Sequence, residues 1–128
     1  MKIEHIAIWT KDLEKMREFY LQFFDLTSNK KYYNSKKNFS SYFLSFPTGA
    51  RIELMYKPEI FEIIETPELY FGLTHFAISV ASKEKVDVLT NIIRQNGHLI
   101  VSEPRITGDG YYESVISDPE GNLIEITE

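Results

Sequence analysis

The 128-residue sequence contains no cysteine, which excludes disulfide bonds, thiolate metal ligands and cysteine nucleophiles. It has no excess of positive charge either: 14 basic residues stand against 19 acidic ones, so a nucleic-acid partner is disfavoured. No apolar run approaches the roughly 20 residues that a membrane-spanning helix needs, and no membrane partner is expected. The N-terminus enters strand-like sequence at once, without a signal peptide, and the expected location is the cytoplasm.

What the chain does contain is a repeated pattern. The segment Pro47–Glu53 has the form Pro-x-Gly-x-x-Ile-Glu, and Pro119–Glu125 has it again. Upstream of each copy stands a matched stretch, His-Ile-Ala-Ile beginning at His5 and His-Phe-Ala-Ile beginning at His75. The His and the Glu are separated by 48 positions in the first half and by 50 in the second. Such self-similarity is typical of a duplicated module.

Each half predicts the element order β-α-β-β-β, and therefore an α+β fold built from two such modules in one domain. Module one is expected at about 1–56, a connecting arm at about 57–72 and module two at about 73–128. Thr10 or Asp12 is expected to cap the first helix and Ser82 the second. The Pro- and Gly-containing stretch from Glu103 to Gly110 is expected to be a loop after a strand at His98–Val101.

Strand alternation decides which side chains share a face. In each half, one face is aliphatic and suits packing against a helix. The opposite face carries the ionisable residues, and such groups are costly to bury without a partner. A divalent cation would neutralise the carboxylates and accept the imidazoles, so the sequence predicts one metal site with nitrogen and oxygen ligands. The predicted ligands are His5, Glu53, His75 and Glu125.

Other polar or aromatic residues have plainer explanations. Asp118 is expected to form a turn, and His98 is expected at the surface. Trp9 lies on the His5 face, two residues further along the strand, and the pattern leaves open whether it is a core residue or lines a cavity.

The chain resembles the glyoxalase I/vicinal oxygen chelate superfamily over nearly its whole length. The matching residues are Ile3–Ile8, Phe19-Tyr20 with Leu26, Arg51–Leu54, Leu73–Val80 and Asp118–Glu125. The resemblance implies paired βαβββ modules forming a cupped mixed sheet around one divalent metal ion, with nickel, cobalt or zinc expected, and a homodimer. The order His, Glu, His, Glu is that of glyoxalase I, a lactoylglutathione lyase.

By the same resemblance, the implied activity is proton transfer on a metal-chelated hemithioacetal or a related α-hydroxycarbonyl compound, as in methylglyoxal detoxification. A carboxylate would remove the carbon-bound proton and return it to the neighbouring carbon. Glu125 is the expected base, and Glu53 is a ligand that shares the role.

Two departures from the family leave the substrate open. Trp9 stands where bacterial glyoxalase I commonly has an Arg, and Lys57 stands where it commonly has an Asn. A small-molecule substrate is expected, such as an adduct of glutathione or of another thiol. The alternatives are a methylmalonyl-CoA-type epimerase, a thiol transferase, or a drug-binding protein without catalysis. The candidate pocket residues are Trp9, Lys57, Arg51, Tyr70, Phe71 and Tyr111.

Overall fold

A computed structural model describes residues 1–60, 72–108 and 110–128. The chain divides into two compact units, Met1–Thr66 and Pro67–Glu128. Each unit combines one helix with one mixed sheet, which confirms the α+β class and the repeated βαβββ plan. Most of the predicted connecting arm, 61–71, lies outside the described residues.

The first unit carries its sheet in the order β1-β5-β4-β2, with β3 also paired to β4. Strands β1 and β5 run parallel, and the other pairs are antiparallel. Asp12 caps the helix because its carboxylate accepts the backbone N–H of Lys15 at 3.0 Å. The elements are β1 His5–Trp9, α1 Leu13–Phe23, β2 Thr27–Ser28, β3 Tyr32–Asn34, β4 Phe39–Ser45 and β5 Arg51–Tyr56.

The second unit repeats this arrangement with the sheet order β6-β9-β8-β7, in which β6 and β9 are the parallel pair. Ser82 caps the helix as expected, since its hydroxyl accepts the N–H of Lys85 at 3.3 Å. Neither helix in the described ranges is long and apolar enough to cross a membrane. The elements are β6 His75–Ser79, α2 Lys83–Gln95, β7 Ile100–Ile106, β8 Tyr112–Ser117 and β9 Leu123–Thr127.

The aliphatic face of each sheet packs against that unit's helix. Helix α1 contacts β4 and β5, and helix α2 contacts β7, β8 and β9. The predicted alternation holds on β5 and β9, because the aliphatic residues on either side of Glu53 and Glu125 are buried. The most deeply buried aliphatic residues of the strands are Leu44, Ile52, Leu54, Ile116, Ile124 and Ile126.

The predicted loop after Val101 is wrong in its first part, because β7 continues through Pro104 to Ile106. Strand β7 lies at the edge of its sheet, where a residue without an N–H is tolerated. Its pairing with β8 shifts register twice, between Ile100 and Ser102 and between Ser102 and Arg105. These irregularities accommodate the proline within the strand.

Candidate functional site

In the first unit, His5 and Glu53 lie side by side on the sheet face opposite the helix. Ala7 on β1 pairs with Glu53 on β5. His5 lies two residues before Ala7, and its side chain is therefore on the same sheet face as that of Glu53. The imidazole Nε2 is 3.8 Å from a carboxylate oxygen of Glu53. The Glu53 side chain is 16% exposed and that of His5 is 38% exposed, so both are partly covered but still reachable.

The second unit contains the same pair in the same register. Ala77 on β6 pairs with Glu125 on β9, and His75 stands two residues before Ala77. The Nε2 atom of His75 is 3.2 Å from Oε1 of Glu125. The Glu125 side chain is 19% exposed and that of His75 is 41% exposed, values close to those of the first pair. The duplication therefore extends to the geometry of the ionisable side chains.

The two pairs differ in what supports the histidine. In the first unit, Nδ1 of His5 donates to the carboxylate of Glu4 at 2.5 Å, and Nε2 lies on the side of Glu53. Arg51 binds the same carboxylate through its guanidinium group. The rings of Phe43 and His5 pack edge to face, with centroids 5.4 Å apart. The guanidinium carbon of Arg51 lies 4.1 Å from the centre of the Phe43 ring. In the second unit, Thr74 stands at the place of Glu4 and has no carboxylate.

This network lowers the pKa of Glu4 below its ordinary value. The leading cause is the hydrogen bond from His5, which favours the charged carboxylate, and Arg51 adds a second hydrogen bond and its positive charge. Glu4 therefore stays ionised at neutral pH and can keep His5 oriented. Sequence analysis missed Glu4 and Phe43. Adjacency to His5 was the only available signal for Glu4, and Phe43 could be placed only through the pairing of β4 with β5.

The donor atoms fit a divalent cation within each unit. Two ligand atoms bonded to one zinc-like ion at about 2.0–2.2 Å lie about 3 Å or slightly more from each other. The distance of 3.2 Å for His75 and Glu125 falls in this range, and 3.8 Å for His5 and Glu53 is a few tenths longer. Imidazole and carboxylate suit nickel, cobalt or zinc. Within the described ranges, no three His, Asp or Glu side chains group closely enough to hold a metal ion by themselves.

The other candidate residues are placed as follows. Trp9 is 44% exposed on the His5 face, so it is not a core residue. Lys57 directly follows β5 and lies 3.7 Å from the carboxylate of Glu59. Tyr111 is 57% exposed just before β8, while Tyr70 and Phe71 lie outside the described residues.

Asp118 is a turn former, as expected. Its carboxylate is buried and accepts the backbone N–H groups of Glu120 and Asn122, both at 2.9 Å. Gly121 completes this turn with a φ of 93°, a backbone conformation that favours glycine. The turn places the start of β9 and hence Glu125.

Comparison with known families agrees with this fold. The sequence profile of the Glyoxalase/Bleomycin resistance protein/Dioxygenase superfamily matches residues 2–126. The chain belongs to this superfamily. Members of this superfamily share a fold but differ in activity. The reaction must therefore be inferred from the residues of the site. A search of curated protein sequences found no match.

Solved structures of the superfamily resemble the chain closely in fold and weakly in sequence. Glyoxalase I from Zea mays is 22% identical with a TM-score of 0.79; the match covers 98% of this chain and 44% of the maize chain, less than half its length. The trypanothione-dependent glyoxalase I of Leishmania major is 22% identical with a TM-score of 0.78, and coverage is 100% and 86%. A domain from Frankia sp. EAN1pec is 18% identical with a TM-score of 0.83, and coverage is 99% and 96%.

Proposed function

We propose that the chain is a metal-dependent enzyme of the glyoxalase I type, in which the His5–Glu53 and His75–Glu125 pairs bind one divalent cation. The observation that carries the proposal is the identical register of the two pairs. In both units, the histidine stands two residues before the alanine that pairs with the glutamate. A pair conserved in geometry across a duplication, with imidazole and carboxylate atoms at ligand spacing, is well suited to supply half of a four-ligand site.

The two pairs could meet within one chain or between the chains of a homodimer. The proposed metal is nickel, cobalt or zinc, and when bound it would act as a Lewis acid on two vicinal oxygens of the substrate. The proposed substrate is a hemithioacetal of a 2-oxoaldehyde, with glutathione or another small thiol, or a related α-hydroxycarbonyl compound. The proposed product for the glutathione adduct of methylglyoxal is S-lactoylglutathione, which would make the chain a lactoylglutathione lyase acting in methylglyoxal detoxification.

The chain's own groups would carry the proton. Glu125 takes the carbon-bound proton onto a carboxylate oxygen and returns it to the adjacent carbon. The surroundings favour Glu125 for this role over Glu53. Glu125 lies between two small or aliphatic neighbours across the strands, Ala77 and Val115, which leave room for a substrate carbon. Glu53 also pairs with an alanine, Ala7, but its neighbour on the other side is the bulkier Phe43. The proposed role of the first pair is therefore to bind the metal and orient the substrate.

The test is isomerisation of the methylglyoxal hemithioacetal by metal-free protein reloaded separately with nickel, cobalt or zinc. Glutathione is tried first and other small thiols afterwards, with metal content measured in each sample. Metal-dependent turnover with at least one thiol is the expected result. Stoichiometric metal binding without turnover for any adduct would overturn the lyase assignment. It would favour an epimerase, detected by exchange of a substrate α-proton with deuterated solvent, or a thiol transferase.

The exposed rings of Trp9 and Tyr111 favour one further candidate, a binding protein for a flat small molecule without catalysis. Such a protein would retain its ligand after the metal is removed by a chelator. An enzyme whose ligand is held through the metal would release it. Ligand retention measured by equilibrium dialysis before and after chelation separates the two.

Glu4 is expected to be a positioning residue for His5. Replacing Glu4 with Gln removes the charge that holds the Nδ1 proton and releases Arg51 from its partner. Loss of such an outer carboxylate typically weakens metal affinity by about 10- to 100-fold. Metal affinity measured by competition with a chelating dye should fall within this range, while the thermal midpoint of the metal-free protein changes little, because Glu4 is an exposed residue.

The matched control for Glu4→Gln is Thr74→Ala, which changes the residue before the other histidine. Thr74 has no carboxylate to hold His75, so metal affinity should be unchanged. Equal affinities for the wild-type protein and Glu4→Gln would show that Glu4 does not position His5.

A further inference from the structure

Three aromatic residues lie together on the sheet face that carries His5 and Glu53. Trp9 and Tyr32 each contact Phe39, with ring centroids 6.2 Å apart in both cases. We call these three residues the aromatic cluster. Trp9 is 44% exposed and Tyr32 is 50% exposed, so the cluster presents ring surface outward. Contiguous exposed apolar surface often marks a binding site.

Strand pairing shows how the cluster is arranged. Trp9 pairs with Met55, Met55 with Ser41, and Ser41 with Tyr32, which makes one row across four strands. This row has large rings at its two ends and smaller side chains in the middle. Phe39 lies on β4 two residues before Ser41, on the same sheet face, and its ring contacts both end rings. The ring contacts are edge-to-face or inclined, at 88° and 60°, so the rings form walls around the row instead of a flat stack.

The open side of this row faces the candidate metal ligands. On β1, Ala7 lies two residues before Trp9 on the same face, and it pairs with Glu53. Two residues along a strand span about 7 Å, which is enough for a phenyl ring to fit within that length. The methyl side chain of Ala7 lies between Trp9 and His5 on this face and leaves space above the sheet. A ligand whose oxygens are held near Glu53 would therefore place its next few atoms against the aromatic cluster.

We propose that the aromatic cluster is a specificity subsite for a planar apolar group, so that the preferred substrate carries an aryl substituent beside its vicinal oxygens. This inference rests on the proposed function, because the His–Glu pairs and their metal fix the oxygen end of the ligand. Ring-on-ring contacts contribute about 0.5–1.5 kcal/mol each beyond simple burial. An aryl compound should thus be favoured over its methyl counterpart.

The decisive comparison uses two hydroxamates, which chelate metals through two adjacent oxygens. Benzohydroxamate and acetohydroxamate have the same chelating head and differ in a phenyl or a methyl group. Binding to the metal-loaded protein is followed by calorimetry and by the emission of Trp9, the only tryptophan in the chain. Benzohydroxamate should bind at least about tenfold more tightly than acetohydroxamate, as expected for one or two aromatic contacts, and should change the Trp9 emission.

Tyr32 and its neighbour provide a matched pair of variants. Tyr32→Ala removes one wall of the cluster, whereas Tyr33→Ala removes a neighbouring, somewhat more exposed ring that points to the other face of β3. Tyr32→Ala should lower benzohydroxamate affinity by about threefold to tenfold and leave acetohydroxamate affinity unchanged. Tyr33→Ala should change neither. Phe39→Leu, which retains Trp9 as the reporter, should resemble Tyr32→Ala.

The proposal can fail independently of the metal assignment. It is overturned if benzohydroxamate binds no more tightly than acetohydroxamate, or if Tyr32→Ala and Tyr33→Ala act alike. If the protein binds no metal, the proposed function fails, and the cluster is then tested by benzamide and acetamide, which have no chelating oxygen pair. Benzamide should still change Trp9 emission while acetamide does not. An unchanged emission with benzamide would overturn the subsite.

Discussion

Glu125→Gln is expected to lower kcat for hemithioacetal isomerisation by about 10²- to 10⁴-fold, the usual contribution of a positioned general base. The amide keeps the size of the side chain and still offers an oxygen to the proposed metal beside His75 Nε2, which lies 3.2 Å from the carboxylate. It cannot take up a proton from carbon. The loss should therefore appear in kcat at saturating metal, and the protein should remain folded, since the side chain is partly exposed.

Two further variants show whether Glu125 acts as a base or only as a ligand. Glu53→Gln should weaken metal affinity and recover much of its activity when metal is added in excess, because the proposed role of Glu53 is to bind. Glu128→Gln removes a carboxylate that lies 3.9 Å from Lys83 and is not one of the proposed ligands, so this variant should have wild-type kcat. Full activity in Glu125→Gln at saturating metal would rule out Glu125 as the base.

Much of this site could be predicted from the sequence because strand alternation has a period of two. Once the strand around His5 and the strand around Glu53 are recognised, parity alone puts both residues on the face away from the helix. The structure confirms that face and adds the register, in which Ala7 pairs with Glu53 and Ala77 with Glu125. Because the sequence pattern repeats, the two units were expected to place their histidine and glutamate in the same way.

What could not be predicted depends on pairing between distant strands. Arg51 was a candidate pocket residue, yet its guanidinium binds Glu4 and covers the Phe43 ring. That arrangement requires β5 beside β1 on one edge and beside β4 on the other, information that no local pattern contains. The aromatic cluster was missed for the same reason, because Tyr32 lies in a strand of only three residues and meets Phe39 only through the pairing of β3 with β4.

The local sequence pattern led to one wrong prediction, the loop around Pro104. Proline and glycine are reliable markers of loops, and Glu103–Gly110 contains both. An edge strand with shifted register satisfies the same signals, since its outer N–H groups need no partner within the sheet. The position of a strand within a sheet is a tertiary property, so the sequence could not separate the two possibilities.

Ile124→Ala is expected to lower the free energy of unfolding of the second unit by about 2–5 kcal/mol, the range for removing a large aliphatic side chain from a packed core. Ile124 is fully buried on the face of β9 opposite Glu125, and it pairs with Phe76 on β6 and Ile116 on β8. Urea denaturation followed by circular dichroism measures the change. The control is Ile106→Ala on the edge strand, where the side chain is 66% exposed and the expected change is within about 0.5 kcal/mol.

Substitutions of the adjacent residues Ile124 and Glu125 should therefore have different effects, one on stability and the other on turnover. Ile124→Ala should lose stability and still bind metal with wild-type stoichiometry at a temperature where it is folded. Glu125→Gln should keep its stability and lose turnover. A loss below about 1 kcal/mol in Ile124→Ala would mean that α2 does not pack on β9 as tightly as the complete burial of this side chain indicates. Because one residue faces the helix and the next faces the proposed ligand, a single strand separates the requirements of folding from those of chemistry.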